Sequence, residues 1–166
     1  MRRLLFLACA VILSPCAVRA AHGVAYFSGD PIPPRTAYLT FDDGPSSWTA
    51  EVLDVLAAAD VRATFFISAR WGCAASDAGS KFLLHRSVLL RMIDSGHAIG
   101  NHTWGHKYFS SMAPSRIQWH LEENQRALND ALGSVAPQMT LIRPPYGSPW
   151  FGAGGGTPVD AAARAV

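Results

Sequence analysis

Asp42 and Asp43 stand side by side in Thr40-Phe41-Asp42-Asp43-Gly44-Pro45, directly after the apolar stretch Ala37-Tyr38-Leu39. Two adjacent carboxylates closing a short buried strand are costly unless something uses them. Further on come His102-Thr103-Trp104-Gly105-His106 and Arg143-Pro144-Pro145-Tyr146-Gly147. A carboxylate pair, two histidines and an arginine are the parts of a metal-dependent hydrolase. On a helical turn His102 and His106 share a face. As neutral imidazoles they can hold a divalent ion, and the Asp43 carboxylate completes a three-ligand set. Three protein ligands leave a position open, which is the catalytic pattern rather than the structural one. Neighbours in an extended segment point to opposite sides. One aspartate can therefore bind the ion while the other faces an attacking water. Arg143, placed beside Asp42, would hold that carboxylate and keep it ionised. Each motif alone has a plainer reading: Asp-Gly-Pro as turn chemistry, the histidines as an exposed pair, the arginine as a surface charge before a rigid diproline.

Together and in this order, the three motifs resemble those of the polysaccharide deacetylases (NodB-homology domain, carbohydrate esterase family four). The resemblance covers roughly residues 36–147. It implies a distorted (β/α) barrel, a divalent metal for which Zn2+ is the expected ion, and a polysaccharide substrate carrying N-acetyl groups. It also implies that Asp42 is the general base and that Asp43, with His102 and His106, binds the metal. The Tyr146 main-chain N–H would help to bind the oxyanion. Two preceding prolines stiffen that donor, and a preorganised donor suits the task. Members of the family carry further motifs: an aspartate-tryptophan segment, and a late leucine-x-histidine whose histidine is the general acid. Nothing after Gly147 matches either, and no histidine follows His120. The expectation is a partial domain over 36–166, holding the metal half of the site without the acid half.

The elements that must position these residues alternate. Tyr38 to Phe41 reads as a strand buried on both faces. Ser46-Ser47 can cap a helix over Trp48 to Ala59, with Val52, Val55, Leu56 and Ala59 as its core face. A strand is expected over Val61 to Ser68, a loop over 71–80, and a helix over Leu83 to Ser95 stopped by Gly96. His97 to Asn101 reads as a third strand. A long helix starts at Pro114, buries Ile117, Leu121, Asn124, Leu128 and Leu132, and ends at Gly133. Met139 to Ile142 is the fourth expected strand. Such alternation implies an α/β fold with a parallel sheet, open or closed into a barrel. Each motif falls at the C-terminal end of a strand, where such folds place their active sites. His85 and His120 lie on helix patterns and read as packed or exposed, and His97 as structural. Trp48 and Trp104 read as core or rim packing as readily as sugar platforms.

The chain has 166 residues, enough for one domain. Residues 1–20 read as a signal peptide: Arg2-Arg3, the apolar run Leu4–Leu13, and small residues before a cleavage point after Ala20. That run is too short to span a bilayer, so export to the periplasm, wall or medium is expected rather than stable membrane insertion. Residues 21–35, with Pro31, Pro33 and Pro34, read as a linker. Removal of the leader takes away three arginines and no acid, leaving a net charge of about −1 from the +2 of the whole chain. No Lys/Arg cluster remains, so nucleic acid is not an expected partner. Cys73 is then the single cysteine and cannot form an internal disulfide. After glycine-rich Trp150–Gly156, the run Thr157–Val166 reads as a helix that leads to no strand, which points to truncation. Two other readings stand beside the enzyme: a non-catalytic metal- or carbohydrate-binding relative, and a fragment exposing a sheet edge. The glycan itself stays open among peptidoglycan, chitin oligomers, surface poly-N-acetylglucosamine and acetylated xylan.

Overall fold

A computed structural model describes residues 33–71 and 80–148. The expected signal peptide, most of the linker, Cys73 and the glycine-rich end lie outside the described residues. The described part is α/β, with an open three-stranded parallel sheet in the order β1-β2-β3.

β1 spans Thr40–Gly44. It starts two residues later than the expected strand and contains both aspartates. Tyr38 and Leu39 are 74% and 44% exposed, not buried. Among the described residues β1 is an edge strand paired only with β2 (Thr64–Ile67), so the residues leading into it have one neighbour at most. The register runs Thr40↔Thr64, Phe41↔Phe65 and Asp42↔Phe66, then jumps to Gly44↔Ile67. Asp43 is the extra residue of a β-bulge.

α1 spans Thr49–Ala58 and buries Thr49, Leu53 and Leu56. The expected face is corrected: Val55 is 69% exposed and Ala59 is also exposed. Thr49 sets the rotation. Its hydroxyl accepts the Ser46 N–H at 2.9 Å, which turns position 49 inward and carries 53 and 56 with it.

The single helix expected over Leu83–Ser95 is two helices, α2 (Lys81–Leu84) and α3 (Arg86–Asp94). They break at His85, whose φ of −108° and ψ of 26° are not helical. Gly96, at φ +73°, follows α3 as a left-handed stop. β3 (Ala98–Asn101) lies parallel to β2, with Gly100 opposite Phe66. A Cβ on Gly100 would sit 2.5 Å from Phe66 Cδ1, so only glycine fits there.

α4 spans Pro114–Leu132 with proline in its first turn and Gly133 at its end. It buries Ile117, Asn124, Leu128 and Leu132 as the periodicity predicts, and also His120, Ala127 and Ala131; Leu121 is half-buried. The fourth strand is corrected to one parallel bridge, Asn101↔Ile142. Asn101 N–H donates to Leu141 O at 2.8 Å, and Arg143 N–H donates to Asn101 O at 3.0 Å. Pro137 and Pro144-Pro145 bound the segment and carry no N–H with which to extend the ladder.

Leu53, Phe65, Ile67, Phe82, Leu89, Met92 and Leu128 form the core between sheet and helices. A polar side chain from α4 is buried against it. Asn124 is fully buried. Its amide donates to Ile67 O at 2.8 Å and to Asn101 Oδ1 at 2.9 Å, while its Oδ1 accepts the Ala69 N–H at 2.9 Å. Asn124→Leu keeps the volume but removes the buried amide that bonds Ile67 O, Asn101 Oδ1 and the Ala69 N–H. Chemical denaturation is expected to show a loss of about 1–3 kcal/mol. An unchanged midpoint would show that the amide contributes no net stability.

His97 is structural, as the sequence indicates. It is buried, and its Nδ1 accepts the Ala63 N–H at 3.1 Å. Burial holds its pKa below the ordinary value, and the charges of Arg62 and Arg91 push the same way. In the unfolded chain the pKa is about 6.5. As pH falls below that value, the unfolded chain takes up a proton that folded His97 resists. Stability therefore declines until the folded pKa is passed, and is unaffected above about 6.5. His97→Asn places Oδ1 where Nδ1 was and does not titrate. Melting curves between pH 7 and 5 are expected to show a smaller acid loss for this variant; identical slopes would remove His97 as a contributor.

Candidate metal centre

Because the strands are parallel, their C-terminal ends meet on one side of the sheet. β1 delivers Asp42 and Asp43 there, β3 runs into His102, and the Ile142 bridge runs into Arg143. A cleft of about 570 Å³ opens beside β1, lined by Phe41, Asp42, Asp43, Trp48, Trp71 and Lys81 among others.

The bulge puts Asp43 in the left-handed region at φ 67° and sends its carboxylate toward the histidines. Its Oδ1 lies 2.9 Å from His106 Nε2 and 3.3 Å from His102 Nε2. Both histidines are buried, and the ring centroids are 4.9 Å apart. One ligand atom from each of the three residues lies within 4.8 Å of the others.

The helical turn expected for His102 and His106 is not what joins them. Residues 102–108 are irregular, with Thr103 at φ 71° and His106 at φ 51°. Side chains take the place of helical bonds: Asn101 Oδ1 accepts the Thr103 N–H at 2.9 Å, and Thr103 Oγ1 accepts the His106 N–H at 3.1 Å. Trp104 N–H donates to His120 O at 3.0 Å, and Arg70 N–H donates to Trp104 O at 2.9 Å. The turn is thus pinned between α4 and the segment after β2.

His102 Nδ1 lies 2.6 Å from Arg143 O. A carbonyl can only accept, so Nδ1 carries a proton and donates it, and Nε2 is the nitrogen that faces Asp43. Burial lowers the pKa of His106; Asp43 opposes this and His102 adds to it. The neutral imidazole that results is the ligand form. Asp43 Oδ1 and His106 Nδ1 are buried without a hydrogen bond among the described residues. At 2.9 Å the Asp43–His106 contact is close but not aligned as one. Two imidazole nitrogens and a carboxylate oxygen that converge without bonding each other fit a divalent ion with N/O preference. Trp71 stacks on His106 at 4.2 Å.

Asp42 faces the other way. Its Oδ1 accepts from Arg143 Nη1 at 2.7 Å, and the same nitrogen donates to Thr40 Oγ1 at 2.9 Å. The guanidinium lies 4.2 Å from the Phe66 ring centroid. The pair is half-exposed, so it orients the carboxylate more than it stabilises the fold. The second Asp42 oxygen accepts no hydrogen bond among the described residues. Tyr146 sits at φ 59°, ψ 15° in the Pro145–Gly147 turn. Its ring stacks on Tyr108 at 4.0 Å and meets His106 edge-on at 4.6 Å. Its N–H donates to no group among the described residues.

All six residues singled out in the sequence therefore meet at one end of the sheet. Trp104 packs against the core, whereas Trp48 is exposed. Sequence reasoning missed Thr40, Asn101 and the Arg143 carbonyl. Thr40 could have been found two residues before Asp42, on the same strand face. Asn101, directly before His102, was a second signal. A carbonyl leaves none in the sequence.

The family model for polysaccharide deacetylase matches residues 29–152. A chitin deacetylase of Pestalotiopsis sp is 39% identical over 114 residues, covering 68% of this chain and 35% of that one. The peptidoglycan-N-acetylglucosamine deacetylase PgdA of Listeria monocytogenes is 34% identical over 111 residues, covering 66% and 21%. The structure of a family 4 acetyl xylan esterase from Clostridium thermocellum, in complex with a cobalt ion, is similar with a TM-score of 0.55 at 31% identity, covering 66% of this chain and 48% of that one. The chain thus spans from about a fifth to about half of these relatives, by the shares of 21%, 35% and 48%. The described sheet and helices correspond to part of their α/β fold, an incomplete (β/α) barrel.

Purified protein dialysed against Zn2+ is expected to retain about one equivalent by elemental analysis, set by the one three-ligand cluster among the described residues. His102→Ala and His106→Ala should lose it, and Asp43→Asn should bind more weakly. Asp42→Asn should retain it, because that side chain faces Arg143. Equal loss in the two aspartate variants would refute the division between them.

Proposed function

The chain belongs to the polysaccharide deacetylase family, and on that premise we propose that its site removes N-acetyl groups from an N-acetylglucosamine-containing polysaccharide. The observation that carries this reading is the Asp43–His102–His106 cluster beside an Asp42 held by Arg143. Asp43 Oδ1, His102 Nε2 and His106 Nε2 would hold the ion, for which Zn2+ suits the ligand set. When bound, it would supply Lewis-acid polarisation of the acetyl carbonyl and acidification of a water.

The remaining work falls to the chain's own groups. Arg143 occupies one oxygen of Asp42, and the other is open to accept the proton of the attacking water. The unengaged Tyr146 N–H is held between two prolines and Gly147, and would donate to the developing oxyanion. His102 keeps its orientation through the Arg143 carbonyl during these steps. The cleft beside Asp42 and Asp43, with Trp48 and Trp71 among its lining residues, has a volume of about 570 Å³, within the range of small-ligand sites. The relatives named for chitin, peptidoglycan and acetyl xylan support a polymeric glycan as substrate. Residues 1–20 support export, with the substrate outside the cytoplasm or in the wall.

No group of the described site is assigned to protonate the departing amine. That observation favours a second reading, a metal- or carbohydrate-binding relative of low activity. Acetate release from N-acetylglucosamine oligomers separates the two. At matched metal occupancy the rate is expected to fall about 10²–10⁴-fold below that of the Listeria monocytogenes enzyme, the usual contribution of a general acid. Asp42→Asn should abolish what remains while leaving metal bound. Rates equal to the Listeria enzyme would assign the acid to a group of this chain. No release, even with metal bound, would support the binding protein.

A further inference from the structure

Lys81 is the first residue of α2 and only 8% exposed. A lysine this buried is uncommon unless its ammonium is put to use. Its Nζ donates to the main-chain carbonyl of Asp43 at 2.6 Å. That carbonyl belongs to the bulged residue of β1, the one that pairs with nothing on β2. Its own position is set twice over: Lys81 N–H donates to Ala69 O at 3.0 Å, and Ser80 Oγ caps the helix by accepting the Phe82 N–H at 3.0 Å. Ala69 is in turn anchored by Asn124 at 2.9 Å. The ammonium is thus referred to the end of β2, against which the bulge is measured.

We propose that Lys81 is a positioning residue for the metal centre, holding Asp43 in its left-handed bulge through the main-chain carbonyl. This rests on reading Asp43, His102 and His106 as the metal ligands. An aspartate at φ 67° is strained relative to an extended residue, and its surroundings must hold it there. Were Asp43 to relax into the regular ladder, it would take the place opposite Ile67 that Gly44 now holds, and its carboxylate would turn toward the core face on which Ile67 lies. Lys81 prevents this without touching the carboxylate, so Oδ1 stays available to an ion. Supporting groups around a ligand typically change metal affinity about 10–100-fold when removed.

A cation beside a cation site also repels. Charge alone predicts that removing Lys81 tightens metal binding, and positioning predicts that it weakens it, so the sign decides. The test titrates Co2+ into the whole protein and follows its visible absorption, for wild type, Lys81→Met, Lys81→Gln and Lys81→Arg. Lys81→Met is expected to bind Co2+ about tenfold more weakly. Lys81→Gln, which keeps an N–H donor without charge, should recover most of the affinity. Equal or tighter binding by Lys81→Met overturns the proposal. If Lys81→Met fails to fold, weak binding by Lys81→Gln together with full binding by Lys81→Arg overturns it, since charge and not donation would then matter. A crystal structure of metal-free Lys81→Gln and Lys81→Met provides a readout independent of the ion. Asp43 unmoved in Lys81→Met, at positive φ with Oδ1 still against both imidazoles, refutes the role of Lys81. Asp43 released there supports it. Wild type that binds no Co2+ defeats the reading of the metal ligands instead, and the metal-free structures still decide on Lys81.

Discussion

A single buried amide joins the parts of this fold that carry chemistry. Asn124 reaches from the middle of α4 to the ends of β2 and β3, bonding Ile67, Ala69 and Asn101. Asn101 passes the constraint on: its Oδ1 accepts the Thr103 N–H, its Nδ2 donates to Leu121 O, and its main chain bridges to Leu141 and Arg143. The histidine turn, the Arg143 segment and the residues after β2 are therefore all placed relative to one side chain. A polar network of this kind stabilises only when each member is satisfied, and here both amides are. It also selects one arrangement, because any slip of α4 against the sheet would leave several buried donors without acceptors.

From that frame, the two aspartates acquire different surroundings although they are neighbours in sequence. The register jump after Asp42 leaves Asp43 without a partner on β2, so its backbone is free of the ladder that fixes Asp42. Both line the cleft, but Asp42 meets a guanidinium and Asp43 meets two buried imidazoles. One bulged residue thus divides a carboxylate pair into two groups of different capacity.

Arg143 couples the two halves. Its guanidinium holds Asp42, and its carbonyl sets the tautomer of His102. Its place is set by the bridge to Asn101, which both receives and donates a main-chain hydrogen bond. A displacement of this segment would move the carboxylate orientation and the imidazole orientation together. Tyr146 follows three residues later in the same constrained turn, against Tyr108 and His106. The segment after Ile142 therefore connects the Asp42 carboxylate, the His102 imidazole and the Tyr146 N–H.

Much of the architecture is written in local chemistry. The alternation of strands and helices, the parallel sheet, the start of α4 at Pro114 and its end at Gly133 follow from periodicity and from residues that act on their own backbone. The chemical types of Asp42, Asp43, His102, His106, Arg143 and Tyr146 are likewise present before any folding. Their relations are not. The inward face of α1 depends on a hydroxyl bond from Thr49 to Ser46. The extent of β1 depends on having one sheet neighbour among the described residues, and the loss of the fourth strand on prolines that starve its ladder. The histidines meet through a turn held by Asn101, Thr103 and His120 rather than through helical spacing. The tautomer of His102 depends on a carbonyl forty-one positions away, and the aim of Asp43 on a lysine thirty-eight positions away. Periodicity reports which face of an element is apolar. It carries no information about hydrogen bonds between distant segments, and those bonds decide the geometry of this site.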